Sequence, residues 1–401
     1  MSGYGGGPVP ADVERAAERI AAYARRTPLL PGLPAPGRRR GGWGLLLKAE
    51  HLQRSGSFKL RGAANAVLAL GARDIVTGSS GNHGIALARL AAPMGVRVTV
   101  VLAAGTSPAK AARIRALGGR TVSVAGGVAE REERARALAE ETGAVLVPSS
   151  DHELVVAGQG TVGREVLADV PDVRTLYVPV GGGGLLAGVC LAARDHPVRI
   201  VGVEPAGTPR YARSLAAGRP VRLPPCDTVA DGLRAQAPGE VPFAVVRDRV
   251  DDLVAVSDAE ILTATDRLRR LGVEAEPSGA VALAGALRAG RHRERAVAVV
   301  SGGNTLAALT SRTSRTSEAS LTSRTSEASL TSRSSDTSLA SDASRDRGVP
   351  GASGISRMPG APDRSGLPGP THLSDPSAAG TGHPARRLAP TCTHPELEET
   401  R

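Results

Sequence analysis

The segment VPVGGGGLLAGV, from Val178 to Val189, joins a β-branched run directly to four glycines and then to a helix-forming stretch. Four consecutive glycines lose much backbone entropy on folding, so they need a structural reason. One such reason is a backbone that wraps a phosphate at the N-terminus of a helix. The segment therefore predicts a strand–loop–helix unit with a phosphate site at the end of its strand, where ligands bind in open α/β sheets.

The same alternation of strand and helix extends from Ala11 to about Thr305. Ala-, Arg-, Leu- and Glu-rich stretches of helical period include Asp12 to Arg26, Glu130 to Glu141 and Asp258 to Leu271. The β-branched runs between such stretches are LLLKAE, DIVTGS, RVTVVLA, RTVSVA, AVLVPS, TLYVPV, RIVGVEP and AVAVVSGG. This alternation predicts βαβ units and parallel sheets. So many strands favour two α/β domains with a cleft between them.

The composition excludes several classes of protein. The 401 residues carry a net charge of +11, from 50 basic and 39 acidic residues, but only 2% are aromatic. A single-strand nucleic-acid binder needs aromatic platforms, so we expect no nucleic-acid partner. The longest apolar stretches, such as Leu185 to Ala193, fall short of the ~20 residues of a membrane span, so we expect no membrane partner. The first residues, MSGYGGGPVP, show no signal pattern, and we expect a cytoplasmic protein.

Two further features of composition bear on the fold and on redox chemistry. Residues 305–401 are dominated by Ser, Thr, Pro, Gly, Ala and Arg, and SEASLTSRT from Ser317 to Thr325 begins again at Ser326. A stretch with so few large apolar residues cannot bury a core, which predicts a disordered tail. The cysteines, Cys190, Cys226 and Cys392, are too far apart for a metal-ligand pair or a disulfide framework.

Only three of the basic residues are lysines, namely Lys48, Lys59 and Lys110. An arginine cannot replace an amine in chemistry at neutral pH. Lys59 lies in SGSFKLRGAANAV, Ser55 to Val67, at the start of a predicted helix and beside Phe58. A partly buried amine there would have a lowered pKa, which suits Schiff-base chemistry. Taken alone, however, the motif is better explained by a surface lysine.

Two other motifs place polar groups where a strand ends. In TGSSGNHGIALA, Thr77 to Ala88, backbone N–H groups with Ser80, Asn82 and His83 would form a pocket for a carboxylate or a phosphate. A tight turn with a helix cap explains this motif about equally well. In AVAVVSGGN a buried strand delivers the hydroxyl of Ser301 into a glycine turn, and an ordinary turn would explain that segment alone.

The tetraglycine segment also allows a different function. Gly182, Gly184 and Ala187 match the G-x-G-x-x-A spacing of dinucleotide-binding sites. Glu204 ends the next strand about 20 residues later, where that fingerprint places an acidic residue. On this segment alone, a nicotinamide-dependent oxidoreductase is a serious alternative.

Taken in order, the four motifs resemble those of the pyridoxal-phosphate enzymes of the tryptophan-synthase-β fold, in particular the threonine/serine dehydratase and serine racemase branch. The resemblance covers about residues 10 to 305 and includes the segments AGQGT (Ala157 to Thr161), ADG (Ala230 to Gly232) and EPSGA (Glu276 to Ala280). It favours pyridoxal 5'-phosphate over a nicotinamide cofactor, which would leave Lys59 and Ser301 unexplained.

The resemblance implies an architecture of two parallel-sheet α/β domains with the cofactor in the cleft between them. The larger, cofactor-binding domain would comprise residues 1–70 and 152–304, and the smaller domain residues 71–151. The low-complexity tail of residues 305–401 would follow. The resemblance also implies that the protein is a homodimer and that it acts on a small-molecule amino-acid substrate.

The resemblance further implies a role for each motif. Lys59 would hold the cofactor covalently and then remove the α-proton of the substrate. The other residues implied in cofactor binding are Phe58, Asn82, Gly181, Gly182, Gly183, Gly184, Leu185, Glu276 and Ser301. Those implied in substrate binding are Ser80, Asn82, His83 and Arg131. A neutral Ser301 hydroxyl at the pyridine nitrogen would make the ring a weaker electron sink, which favours loss of a β-hydroxyl over transamination.

Some positions separate the members of this branch. Ser80 stands where serine racemases carry a second acid/base and where many dehydratases have alanine. The Asp151–His152 pair is more similar to the dehydratases. The family's metal site usually combines the glutamate in the position of Glu204 with an aspartate six residues later, where this chain has Arg210. We therefore expect no metal site. If a metal were bound, Glu204 would be the candidate ligand.

These observations predict a cytoplasmic, pyridoxal-phosphate-dependent ammonia-lyase that converts L-threonine, L-serine or both to the 2-oxo acid and ammonia. The first alternative is an amino-acid racemase that uses Lys59 and Ser80 on opposite faces of the substrate. The second is the nicotinamide-dependent oxidoreductase. The side chain of the preferred substrate stays open, and Ser149 and Ser150 are candidates for selecting it.

Overall fold

Helices and strands alternate along residues 7–34, 43–290 and 292–305, which are the residues that the computed structural model describes. The strands are β1 (Leu29–Pro34), β2 (Trp43–Ala49), β3 (Asp74–Thr77), β4 (Arg97–Leu102), β5 (Arg120–Ser123), β6 (Val145–Leu146), β7 (Thr175–Pro179), β8 (Arg199–Pro205), β9 (Asp252–Val256) and β10 (Ala296–Val300). The α-helices are α1 (Pro10–Ile20), α2 (Lys59–Leu70), α3 (Asn82–Met94), α4 (Pro108–Ala116), α5 (Val128–Thr142), α6 (Glu153–Asp169), α7 (Gly184–Ala192), α8 (Arg210–Ala217), α9 (Glu240–Arg249), α10 (Asp258–Arg270) and α11 (Pro277–Arg288).

The strands form two sheets, in the orders β1-β2-β10-β7-β8-β9 and β5-β4-β3-β6. Neighbouring strands run parallel in both sheets, which confirms the predicted α/β class. The exception is the edge strand β1, which pairs antiparallel with β2. The strands of the smaller sheet all lie within residues 74–146.

The predicted domain boundaries stay predictions, because the described residues of both sheets fall into one compact unit. The predicted disordered tail, residues 305–401, lies outside the described residues apart from Thr305. Within the described ranges, no helix is long and apolar enough to cross a bilayer.

Two glycines in α6 let two functional helices pack closely against it. A Cβ on Gly158 would lie 2.7 Å from the backbone oxygen of Arg61 in α2, and one on Gly160 would lie 2.7 Å from that of Gly188 in α7. Helix α2 begins with Lys59, and α7 begins within the tetraglycine segment. The AGQGT motif therefore has a packing role, because side chains at its two glycines would push α2 and α7 away from α6.

A buried ionic network lies beneath the start of α2. The Arg61 guanidinium donates two hydrogen bonds of 2.8 Å to the carboxylate of Glu50 and one of 2.7 Å to Oε1 of Glu165. Lys48 Nζ donates to the other oxygen of Glu165 at 2.5 Å. Although burial acts in the opposite direction, Arg61 and Lys48 lower the pKa of Glu165. The network joins β2, α2 and α6, so it fixes the helix that carries Lys59.

Candidate active site

Lys59 is the first residue of α2, and its half-buried amine donates a hydrogen bond of 2.6 Å to the backbone oxygen of Ser149. The amine also lies 5.1 Å from the centroid of the Phe58 ring. Burial lowers the pKa of Lys59 from 10.5 to about 8. An amine with this pKa has a much larger neutral, nucleophilic fraction near neutral pH than an exposed lysine.

The turn after β10 holds the lysine segment from the other side. The backbone N–H of Phe58 donates to the oxygen of Ser301 at 3.1 Å, and Ser57 forms a β-bridge with Gly302. The Ser301 hydroxyl is buried and donates to the backbone oxygen of Ser278 at 3.3 Å. The structure therefore brings the segment of Phe58 and Lys59 next to Ser301, and their roles stay predictions.

Asn82, at the start of α3, links the two sheets through hydrogen bonds. Its amide nitrogen donates to Oε1 of Glu276 at 2.5 Å, and its oxygen accepts from Nδ2 of Asn304 at 2.7 Å. Burial is the main cause that raises the pKa of Glu276 to about 7. Sequence reasoning did not single out Asn304 as a site residue, although it ends the SGGN motif.

The tetraglycine segment forms a backbone cradle at the start of α7. Gly183 has a φ of +97°, and a Cβ there would overlap the Tyr211 hydroxyl. A Cβ on Gly182 would overlap the hydroxyl of Ser150. In the described part of the chain, the N–H groups of Gly181, Gly182 and Gly183 donate to no other protein group. Free N–H groups at a helix N-terminus suit a phosphate.

Two consecutive residues connect this cradle to the lysine. Ser149 accepts the hydrogen bond from Lys59, and Ser150 packs on Gly182 and Gly184. A reactive amine therefore adjoins an anion cradle, and both lie at the edge where parallel strands end. This arrangement fits an aldehyde that also carries a phosphate group. Pyridoxal phosphate has both groups, and Lys59 with Gly181 to Leu185 would hold it.

The predicted substrate-binding residues lie after β3 and on α5, and they differ in accessibility. Ser80 is half-buried in the turn between β3 and α3. His83 is 1% exposed, and its ring nitrogen Nε2 lies 3.0 Å from the backbone oxygen of Val147. Substrate binding by His83 stays a prediction, and its backbone N–H is better placed for this contact than its buried ring. Burial, with the nearby Lys59 charge, lowers the pKa of His83 to about 3, so the ring is neutral.

Arg131 packs against the same turn. Its backbone oxygen would lie 3.1 Å from a Cβ on Gly78, which follows β3 directly. Its Nε is buried without a hydrogen-bond partner among the described residues, and its closest ion-pair contact is 3.4 Å from Glu132. Its guanidinium therefore has donors to spare, although its role in substrate binding stays a prediction.

Glu204 has a structural function. Its two carboxylate oxygens accept the backbone N–H groups of Tyr211 at 3.1 Å and Ala212 at 3.0 Å, which caps α8. It is 1% exposed, and the cationic Arg210 follows at the start of α8. A carboxylate already bound in this way, with a guanidinium beside it, fits neither a metal ion nor the ribose of a dinucleotide. Within the described residues, no cluster of three His, Cys, Asp or Glu side chains could hold a metal.

Comparisons with known proteins point to the same chemistry. The family model described as pyridoxal-phosphate dependent enzyme matches residues 20–302. The serine racemase of Oryza sativa subsp. indica is 38% identical over 73% of this chain and 89% of its own length. The L-threonine ammonia-lyase of Geobacter sulfurreducens is 39% identical over 73% of this chain and 74% of its own.

A solved structure agrees with these relatives. The crystal structure of a threonine deaminase from T.th. matches with a TM-score of 0.68 and 41% identity, over 74% of this chain and 99% of that one. The oxidoreductase alternative is therefore wrong, and Gly182, Gly184 and Glu204 do not form a dinucleotide site. The chain belongs to the pyridoxal-phosphate dependent enzymes, in the group that contains threonine ammonia-lyases and serine racemases, and its cofactor is pyridoxal 5'-phosphate.

Proposed function

We propose that this enzyme is an ammonia-lyase that converts L-threonine, L-serine or both to the 2-oxo acid and ammonia. The observation that carries the proposal is the Lys59 amine, which has a lowered pKa and adjoins the glycine cradle through Ser149 and Ser150. The half-buried Ser80 and the N–H groups at the start of α3 would bind the substrate carboxylate.

In this proposal Lys59 moves the proton that starts the reaction. Bound pyridoxal phosphate supplies the electron sink that makes the Cα–H bond of an amino acid acidic. The neutral Lys59 amine takes that proton and the Cα–H electron pair forms a Cα–Cβ double bond. The β-hydroxyl leaves as water with one proton, which the protonated Lys59 can return, so that the amine ends neutral. The enamine that remains adds one water and releases ammonia, which leaves the 2-oxo acid. No oxidant or reductant is needed.

Ser301 contributes to the choice of reaction by its lack of charge. Its buried hydroxyl donates to the Ser278 backbone and carries no negative charge that would hold a proton on a pyridine nitrogen. An unprotonated ring is the weaker electron sink, which favours prompt loss of a leaving group over prolonged carbanion chemistry.

The proposal is tested by incubating the enzyme with L-threonine and with L-serine. We expect 2-oxobutanoate or pyruvate with one equivalent of ammonia, measured by 2-oxo acid derivatisation and chiral chromatography of the residual amino acid. If D-serine is formed faster than 2-oxo acid, the enzyme is a racemase. If neither product forms while the protein carries pyridoxal phosphate, both substrates are wrong.

Racemisation is a second candidate because Ser80 carries a hydroxyl in the turn before α3 and because a serine racemase is as similar as an ammonia-lyase. Inverting Cα needs a second acid/base on the opposite face from Lys59. Ser80→Ala is expected to abolish formation of D-serine while kcat for elimination from L-serine stays within about threefold of wild type, because Lys59 alone takes the proton in that step. Loss of the Ser80 contact to the carboxylate should appear in KM. Ser79→Ala is the matched control. Equal D-serine formation by wild type and Ser80→Ala would contradict this role.

We also propose a cytoplasmic homodimer, as the family resemblance implies. Light scattering of the full chain should give the mass of two chains. A mass of one chain would contradict the proposal.

A further inference from the structure

Arg210 lies directly behind the tetraglycine segment and is fully buried. Its guanidinium donates to the backbone oxygens of Val180 at 2.9 Å, Gly181 at 3.2 Å and Leu233 at 2.7 Å. It also donates to the Thr208 hydroxyl at 3.2 Å. A single side chain therefore joins the glycine segment to two other loops.

The next residue extends this contact along the segment. The Tyr211 hydroxyl donates to the backbone oxygen of Gly182 at 3.2 Å, and the same hydroxyl occupies the space that a Cβ on Gly183 would need. Arg210 and Tyr211 thus bind three successive carbonyl groups, from Val180 to Gly182, and the Gly182 oxygen also accepts the backbone N–H of Gly239 at 3.1 Å.

This contact determines where the free N–H groups point. In a trans peptide the C=O and the following N–H point in opposite directions, and the described residues contain no cis peptide. Holding the carbonyls of residues 180–182 towards α8 therefore turns the N–H groups of Gly181, Gly182 and Gly183 away from it. These are the N–H groups that donate to no protein acceptor in the described part of the chain.

The charge of Arg210 has no carboxylate in direct contact with it. Among the described residues it forms no ion pair, and the nearby carboxylate of Glu204 is bound by the backbone N–H groups of Tyr211 and Ala212. Its Nε is buried without a partner. Glu204 attracts the Arg210 charge without a direct contact, and an anion bound on the other side of the glycine segment would stabilise this buried cation further.

We propose that Arg210 and Tyr211 are positioning residues that aim the glycine N–H groups at the phosphate of the cofactor, and that Arg210 supplies the positive charge of this site. The proposal rests on the proposed function, in which Gly181 to Leu185 hold the phosphate. It also means that the cation behind the loop is part of the chain, so phosphate binding needs no divalent metal.

The test compares the affinity of the apoenzyme for pyridoxal phosphate with its affinity for pyridoxal, which keeps the aldehyde but lacks the phosphate. Both are titrated by absorbance in wild type, Arg210→Met, Arg210→Lys and Tyr211→Phe. Arg249→Met is the matched control, because Arg249 also donates to three backbone oxygens, those of Ala193, His196 and Val198, away from the glycine segment.

Arg210→Met is expected to lower the affinity for pyridoxal phosphate by about 10- to 100-fold, while the affinity for pyridoxal changes by less than about threefold. Tyr211→Phe keeps the ring and loses one hydrogen bond. Its affinity for pyridoxal phosphate should fall by about three- to tenfold, and its affinity for pyridoxal should not change. Arg210→Lys should fall between wild type and Arg210→Met because it keeps the charge but not the fork of donors. EDTA should change none of these affinities.

Other results would overturn the proposal. If Arg210→Met weakens both ligands equally, as a general loss of stability would, the role of Arg210 is structural only. If Arg210→Met does not fold, Tyr211→Phe is the deciding variant. An unchanged affinity of Tyr211→Phe for pyridoxal phosphate would then overturn the proposal. If wild type binds pyridoxal phosphate but shows no preference over pyridoxal, the loop assignment and this inference both fail. If wild type loses the cofactor in EDTA, a metal is the cation and Arg210 is not.

Discussion

Lys59→Ala is expected to lose the visible absorption band of the lysine-bound cofactor and to lower ammonia-lyase activity by about four orders of magnitude. Both effects have one cause, because the same amine binds the cofactor covalently and moves the α-proton. No neighbouring group can replace it, since the described residues contain only two other lysines, Lys48 and Lys110. Lys48 is buried against Glu165, and Lys110 pairs with Asp231.

Lys110→Ala is the matched control for this experiment. Lys110 lies on α4 and is the more accessible of the other two lysines. Its variant should keep the band, and borohydride should fix the cofactor to Lys110→Ala and to wild type but not to Lys59→Ala. A band in Lys59→Ala that borohydride still fixes to the chain would show that another amine holds the cofactor.

Arg61→Met is expected to lower the free energy of unfolding by about 3–5 kcal/mol, which is the usual effect of removing one member of a buried ion pair. The change leaves the buried carboxylates of Glu50 and Glu165 without their shared partner. The midpoint of urea unfolding measures the loss. Adding Glu50→Gln to Arg61→Met should recover part of it, because one unpaired charge is then removed.

The same network makes stability depend on pH. The pKa of Glu165 is lowered from its ordinary value of 4.5 in the folded chain. Its contribution is therefore fully present above 4.5 and is lost as the pH falls through the lower folded pKa. Arg61→Met should show a weaker loss of stability in that acid range than wild type. Arg97→Ala, at the exposed pair with Asp74, should leave both the urea midpoint and the pH dependence unchanged.

The sequence pattern predicted the central strands better than the edges of the larger sheet. The eight quoted runs correspond to β2, β3, β4, β5, β6, β7, β8 and β10, and the two strands that were missed, β1 and β9, are the two edges. β1 reads LLPGLP, and its prolines are tolerated because an edge strand has N–H groups without ladder partners. β9 reads DLVAV and is only partly buried, and its short apolar run lies directly before the predicted helix of Asp258 to Leu271.

Local sequence motifs were enough to predict which loops of the candidate site lie together. The four motifs indicated which loops meet, because strand ends in a parallel sheet share one edge. Arg210 and Tyr211, which we propose position the glycine segment, were not singled out for that role because they bind backbone oxygens, and such contacts have no signature in the sequence. The orientation of the His83 ring also depends on a distant backbone oxygen, that of Val147, and therefore needs the tertiary structure.

The turn after β10 has a consequence for biosynthesis. Its last residue, Asn304, bonds to Ser55 and Asn82, which precede it by 249 and 222 residues. At about 5–20 residues per second, the ribosome releases the lysine segment on the order of tens of seconds before this turn exists. Unfinished chains therefore lack a closed site, and a nascent chain becomes able to act on free amino acids only when the folded region is nearly complete.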